Sequence, residues 1–205
     1  MARKTKEDAE QTRLAILDSA LITFYEKGFT RTTFDEIAKR INLTKGAVYW
    51  HFRNKADIVA ALIELKLAEQ HSKYLKNTPA TLEDLRSDIL LRAQSIEKDE
   101  DFCRFLFFMN YRMEWSEAII ESVWNKIGEL CQISDKKLYD CLLNIQKNGG
   151  IKKDIDINPI KETFVCLWRG CINNYIFNRK QNIKFSEMII SGFDIITAGI
   201  KMENK

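Results

Sequence analysis

The sequence predicts an all-α protein, and three observations predict it. Its 205 residues include only 8 Gly and 2 Pro, which leaves few places for the tight turns that many short strands need. Apolar residues recur three and four apart over long stretches, the period of a helix packed along one face. Several of those stretches open on a Thr or Asn placed as a helix cap. With 45% apolar residues the chain has material for a substantial core, as one large domain or two small ones.

Taken in order, Ile16, Leu17, Ala20, Leu21 and Phe24 form the apolar stripe of a first helix over Glu7–Lys27. Gly28 follows as its C-cap, with Phe29 able to fold back on the last turn. In TTFDEIAKRI, Thr33 and Glu36 make a capping box, and Phe34, Ile37, Ala38 and Ile41 share a face. Asn42-Leu43 interrupts. Thr44 caps a short third helix ending near Phe52, in which Val48 and Phe52, one turn apart, face inward. Asn54 caps a fourth helix over Lys55–Leu75. After the break at Asn77–Ala80, Thr81 and Asp84 open a helix to Lys98. Helices follow over Phe102–Met113 and Ser116–Gln146, the latter stopped by the NGG at 148–150. Asn158-Pro159 reads as a cap with proline at the first helical position, opening a helix to Asn178. Ser186 starts the last, which ends near Met202. About nine helices result, with no internal repeat.

Composition excludes several classes of function. No apolar run approaches the roughly 18–20 residues of a membrane span, and the charged start MARKTKEDAEQTR has no apolar segment behind it. The expectation is a cytoplasmic protein with no membrane partner. Five cysteines, none in a C-x-x-C and none in ligand spacing to His51 or His71, read as buried thiols, not as a disulfide or zinc framework. A redox pair of Cys166 and Cys171 is the alternative, carried by spacing alone. The sequence holds no glycine-rich phosphate loop, G-x-S-x-G or H-E-x-x-H. The reading is a non-enzyme without cofactor or metal.

The net charge of +3 is uneven: residues 1–55 hold eleven Lys/Arg against seven Asp/Glu, and the rest are nearly balanced. An anionic partner is therefore expected near the N-terminus. Two short helices joined by a tight turn and braced by a longer one make a helix-turn-helix, whose second helix fits a DNA major groove. The composition of TKGAVYWHFRNK suits that task. With Val48 and Phe52 inward, Thr44, Lys45 and Tyr49 project outward, flanked by Trp50 and His51. Thr44 offers a hydroxyl at the positive helix end, Gly46 permits close approach, and the stiff Tyr49, Trp50 and His51 can donate to phosphates. Lys45 is the candidate for a guanine edge, and Lys55 for a further phosphate contact. Thr33 completes the candidate DNA-binding set. Spacing alone leaves a plain surface helix in a generic bundle equally open.

The string T-K-G-A-V-Y-W-H-F-x-N-K, and the segment from Thr12 to Ile63 around it, resembles the DNA-binding domain of the TetR family of bacterial repressors. The pattern MARKTK…ILD…GF…T…IAK…GAVYWHF is similar to the AcrR/TtgR-type regulators of multidrug efflux pumps. The likeness is strong over the first quarter and reaches the rest through length and W-R-G-x-I at 168–172. Asn42 departs from the family's usual turn Gly, but Asn tolerates the left-handed conformation. The resemblance implies a DNA-binding domain over 1–55 and a helical ligand-binding and dimerisation domain over 56–205.

In that second part, residues 102–124 are rich in aromatics. Each taken singly reads as core packing. Together Phe105, Phe108, Tyr111, Arg112, Trp115 and Trp124, with Phe164, Trp168 and Asn173, are the candidate lining of an apolar ligand pocket. Gly170, Gly192 and Gly199 lie inside predicted helices, where each costs about 1 kcal/mol relative to Ala. Gly170 and Gly192 are candidates for a two-fold dimer interface, which the resemblance places in the final two helices; internal packing is the other reading. The function expected is a ligand-responsive repressor, binding double-stranded operator DNA as a homodimer and released by a small apolar or amphipathic inducer. The alternative is a DNA-binding regulator whose C-terminal domain binds a protein.

Overall fold

A computed structural model describes residues 5–74 and 78–201, without the side chains of 71–74, 117–119, 121–127, 129–131 and 180. Among the described residues it is α-helical, with nine α-helices and one isolated bridge between Ile151 and Lys201. The helices are α1 (Lys6–Lys27), α2 (Phe34–Arg40), α3 (Lys45–His51), α4 (Lys55–Tyr74), α5 (Leu82–Lys98), α6 (Glu100–Phe107), α7 (Glu117–Lys147), α8 (Ile157–Phe177) and α9 (Phe185–Ile200). No helix of the described residues is long and apolar enough to cross a membrane.

Two compact units make up the chain: Met1–Ala68 with Arg104–Gly128, and Glu69–Cys103 with Glu129–Lys205. The first does not break at residue 55, where the sequence placed a domain boundary. It takes in the start of α4, whose Ile58 and Leu62 are fully buried, and a segment from far along the chain. The reason is aromatic packing. Phe24 of α1 lies at its centre, with the ring of Phe108 stacked on it at 4.9 Å and that of Phe29 at 5.8 Å. Gly28, at φ +83°, makes the reversal that returns Phe29 to Phe24, as its place after α1 predicts.

The predicted single helix over Phe102–Met113 is instead two pieces. α6 gives way at Phe108 to a π-helical turn over Phe108–Arg112, a wider winding that often marks functional sites.

In the second unit, Leu82 and Leu85 of α5, Leu142 and Ile145 of α7, Ile160 and Phe164 of α8, and Phe193 and Ile200 of α9 form one core cluster. Two helix starts differ from the sequence reading. α8 is capped by Asp156, whose carboxylate accepts the Asn158 N–H at 2.9 Å, so Pro159 stands third in the helix. There its missing N–H is still among those with no intrahelical partner. Ser186 stands second in α9, one place after its first residue, Phe185. Its N–H and hydroxyl both donate to Glu97 of α5, at 2.8 and 2.9 Å, so a side chain from another helix caps this one.

Candidate nucleic-acid interface

Local chemistry builds the α2–α3 pair. The Thr33 hydroxyl accepts the Glu36 N–H while the Glu36 carboxylate accepts the Thr33 N–H, closing the capping box. Lys27 of α1 reaches the same carboxylate at 2.5 Å. Lys27 and the Thr33 donors hold Glu36 ionised, pulling its pKa from 4.5 to about 2. At the other end of α2 the chain turns at Asn42, which adopts φ +54° as expected, and the Leu43 N–H donates to the Ala38 carbonyl at 2.9 Å. The Ile37 carbonyl, in the last turn, accepts the hydroxyl of buried Ser19 on α1 at 2.8 Å. That bond ties α2 to α1. Nothing in the spacing of Ser19 announced it, because its partner is a backbone atom eighteen positions away.

α3 opens on Thr44, whose hydroxyl oxygen accepts the Ala47 N–H at 3.2 Å. Val48 and Phe52 are buried as the spacing requires. Thr44, Lys45, Gly46, Tyr49 and Trp50 are exposed, Tyr49 at 53% and Trp50 at 73%. The exposed side chains are nonetheless held. The Tyr49 ring lies 4.7 Å from that of Phe34, with the Lys45 ammonium 5.6 Å from its centroid. Trp50 meets His51 edge-on at 4.5 Å. A β-carbon at Gly46 would meet only the Thr44 hydroxyl, at 3.8 Å, so the chain itself does not require glycine there.

Thr33 and Lys55, both expected at the DNA, direct donors into the chain. Thr33 donates its hydroxyl to Glu36 at 3.0 Å. Lys55, the first residue of α4, donates to the carbonyls of Phe29 at 2.6 Å and Thr30 at 2.9 Å.

The expected ligand residues divide between the units: Phe105, Phe108, Tyr111, Arg112 and Trp115 in the first, Phe164, Trp168 and Asn173 in the second. Trp124 lies outside the described side chains. Phe105, Phe108 and Phe164 are buried, Phe108 against Phe24 and Phe164 stacked on Phe193 at 5.2 Å, so these two rings are core material. Trp168 lies edge-on to Phe185 at 4.9 Å. Tyr111 and Trp115 are about two-fifths exposed, and the Arg112 guanidinium lies over the Phe107 ring. A surface cleft of about 450 Å³ between α5 and α9 is lined by Arg86, Gln94, Glu97, Lys184 and Ile190 among others, and by none of the expected residues.

Gly192 serves the chain's own packing. A β-carbon there would fall 2.5 Å from Leu167 Cδ1, so α9 comes close to α8 only because the side chain is missing. A β-carbon at Gly170 would meet nothing within 4 Å. Burial pushes the thiols of Cys103 and Cys141 up to about 11, and that of Cys171 upward, so these three are protonated at neutral pH.

Residues 16–62, which hold this interface, match the model of the bacterial regulatory proteins of the tetR family. Over 191 residues the chain is 48% identical to the probable HTH-type transcriptional regulator ArpR of Pseudomonas putida, covering 86% of this chain and 85% of that one. Two solved structures share the fold. NalD, the secondary repressor of the MexAB-OprM multidrug efflux pump in Pseudomonas aeruginosa, superposes with a TM-score of 0.79 at 22% identity, over 97% of this chain and all of that one. SmeT, the repressor of the Stenotrophomonas maltophilia multidrug efflux pump SmeDEF, in complex with triclosan, gives 0.76 at 21% identity over 95% and 93% of the two chains.

Proposed function

The chain belongs to the TetR family of bacterial regulatory proteins, which makes it a helix-turn-helix DNA-binding regulator, and from that premise we propose that it is a ligand-responsive repressor of an efflux system. It binds a near-palindromic operator as a homodimer and leaves it when a small apolar or amphipathic molecule binds.

The observation that carries this reading is the outer face of α3. Thr44, Lys45, Tyr49 and Trp50 stand in solvent, yet Tyr49 is braced on Phe34 and Lys45 on Tyr49. Large exposed aromatics on a folded chain mark a surface that meets a partner. The cation and hydrogen-bond donors suit phosphates and the edges of bases.

The dimer reading draws on α8 and α9. Cys166, Gly170, Asn173 and Phe177 form an exposed row at helical spacing on α8, with Phe177 at 68% exposure, and Ile195 of α9 stands at 73%. This row, apolar but for Asn173 and with open space over Gly170, suits a second copy of the same helices. Two recognition helices set about 34–36 Å apart would then enter successive major grooves.

The inducer reading draws on the triclosan complex of SmeT, and the efflux reading on what NalD and SmeT are named as repressing. α4 begins among the reading helices and ends in the second unit, so it is the element proposed to carry a ligand's effect to the DNA. Lowering operator affinity 100-fold requires a preference for the non-binding state of about 2.7 kcal/mol.

Fluorescence anisotropy tests the proposal. Labelled DNA from beside the chain's own gene is compared with an unrelated duplex at two salt concentrations, with and without triclosan. Preference for its own DNA that survives the higher salt supports the regulator, and release by triclosan supports the inducer. Equal, salt-labile binding to both duplexes sinks the operator reading.

A further inference from the structure

Arg31 stands exposed in the turn between α1 and α2, two residues before Thr33. Its Nε–H donates at 2.9 Å to the carbonyl of Lys27, the last residue of α1. A cation suits that end of a helix, where the dipole is negative and the final carbonyls have no intrahelical donor. Capping α1 uses one of the five N–H donors of the guanidinium. Four remain, on the two Nη groups.

Other cations of α1 and α2 are placed differently. Arg13 pairs with Glu10, Lys27 with Glu36, Lys39 with Asp35 and Arg40 with Glu26. Each has its charge offset by a carboxylate. Arg31 has the Lys27 carbonyl as its partner and meets no carboxylate within ion-pair distance among the described residues. The bond to Lys27 also holds the plane of the guanidinium. A planar fork held by its Nε edge presents its Nη groups as a pair, which fits two oxygens of one phosphate.

The turn that carries Arg31 runs straight into Phe34, the first residue of α2, against which the Tyr49 ring of the outer face of α3 rests. In a helix-turn-helix the first helix of the pair crosses the DNA backbone while the second enters the groove. Arg31 thus precedes by three residues the end of α2 that lies beside the reading face.

We propose that Arg31 is a phosphate contact in the DNA complex: its Nε caps α1 and its two Nη groups grip the backbone beside α2. Such a contact fixes where the head sits on the duplex and carries no sequence information. The inference rests on the DNA-binding reading of α3 and adds a cation from outside that helix.

Two variants of the full chain separate a phosphate contact from a cap alone. Arg31→Gln removes the charge, whereas Arg31→Lys keeps the charge and loses the fork and the Nε bond. Both are titrated by anisotropy, beside the parent and Lys45→Ala, on the duplex from beside the chain's own gene and on the unrelated duplex over a range of salt. Arg31→Gln should lower the slope of log affinity against log salt by about one. It should weaken binding to both duplexes by the same factor, about tenfold, and leave the preference between them as in the parent. Arg31→Lys should keep the parent's slope. A parental slope in Arg31→Gln, or a slope lowered equally in Arg31→Lys, overturns the proposal and leaves Arg31 as the cap of α1. The DNA-binding reading survives either result if Lys45→Ala still lowers the slope. A parent that binds neither duplex sinks both.

Discussion

The ring of Tyr49 rests against the ring of Phe34, centroids 4.7 Å apart and planes tilted by 53°. One stands at the head of α2 and the other on the outer face of α3, so the phenol is held by packing while about half its surface stays in solvent. Tyr49→Phe should therefore keep the melting temperature of the parent and lose the hydroxyl contact alone. One net hydrogen bond amounts to about 0.5–1.5 kcal/mol, or roughly a threefold to tenfold loss of operator affinity. Tyr49→Ala should lower both affinity and melting temperature. Anisotropy and a thermal scan of the two variants read this directly; a Tyr49→Phe variant as tight as the parent removes the hydroxyl from the interface.

Lys45 tests the electrostatic part. Its ammonium lies over the Tyr49 ring, 5.6 Å from the centroid. Lys45→Ala should lower the salt slope by about one. A slope equal to the parent's would move Lys45 off the DNA.

Acid should weaken the reading head through Glu36. Its folded pKa, about 2, lies below the ordinary 4.5. The capping box and the Lys27 pair thus contribute fully above pH 4.5, and that contribution is lost as pH falls from there towards 2. Urea unfolding across this window should show a steeper loss for the parent than for Glu36→Gln, which has no carboxylate to protonate. Parallel curves would mean that the carboxylate adds nothing to the folded state.

Phe108 separates core from pocket. Because it is fully buried and stacked on Phe24, Phe108→Ala should cost about 3–5 kcal/mol in urea unfolding. A residue that merely lines a ligand cavity would tolerate the change, and the variant would differ chiefly in triclosan response.

The two glycines should part company. Gly192→Ala brings a methyl group against Leu167 and should destabilise the chain by about 1–3 kcal/mol, seen as a lower melting temperature. Gly170→Ala meets nothing in its own chain, so the folded monomer gains up to about 1 kcal/mol of helix propensity. Sedimentation should nevertheless show a weaker dimer, the added methyl lying between copies. An unchanged dimerisation constant would take this face out of the interface.

What the sequence made legible follows the range of each interaction. The capping boxes, the reversal at Gly28, the left-handed Asn42 and the Asn54 cap, which accepts the Asp57 N–H at 2.9 Å, involve partners a few positions apart. The inward pair Val48 and Phe52 is likewise a matter of helical period. The contacts of Lys55, Ser19, Ser186 and Gly192 within the chain were not legible because their partners lie in other elements. A lysine beside DNA-reading residues reads as a phosphate ligand, and its bonds to the Phe29 and Thr30 carbonyls could not be read from spacing. The aromatic run at 102–124 had the same ambiguity: hydrophobicity is common to core and pocket, and only packing assigns Phe108 to the first.

Val48 is the one buried residue among the seven of α3. Its neighbours on that helix are therefore under little obligation to the fold. Substitutions at Lys45 or Trp50 should change which DNA is recognised at small expense in stability, so the address this protein reads is free to drift with its targets. The side chains that orient α3, such as Ser19 and Phe34, have no such freedom, and descendants of this chain should diverge first in what they read and last in how they hold it.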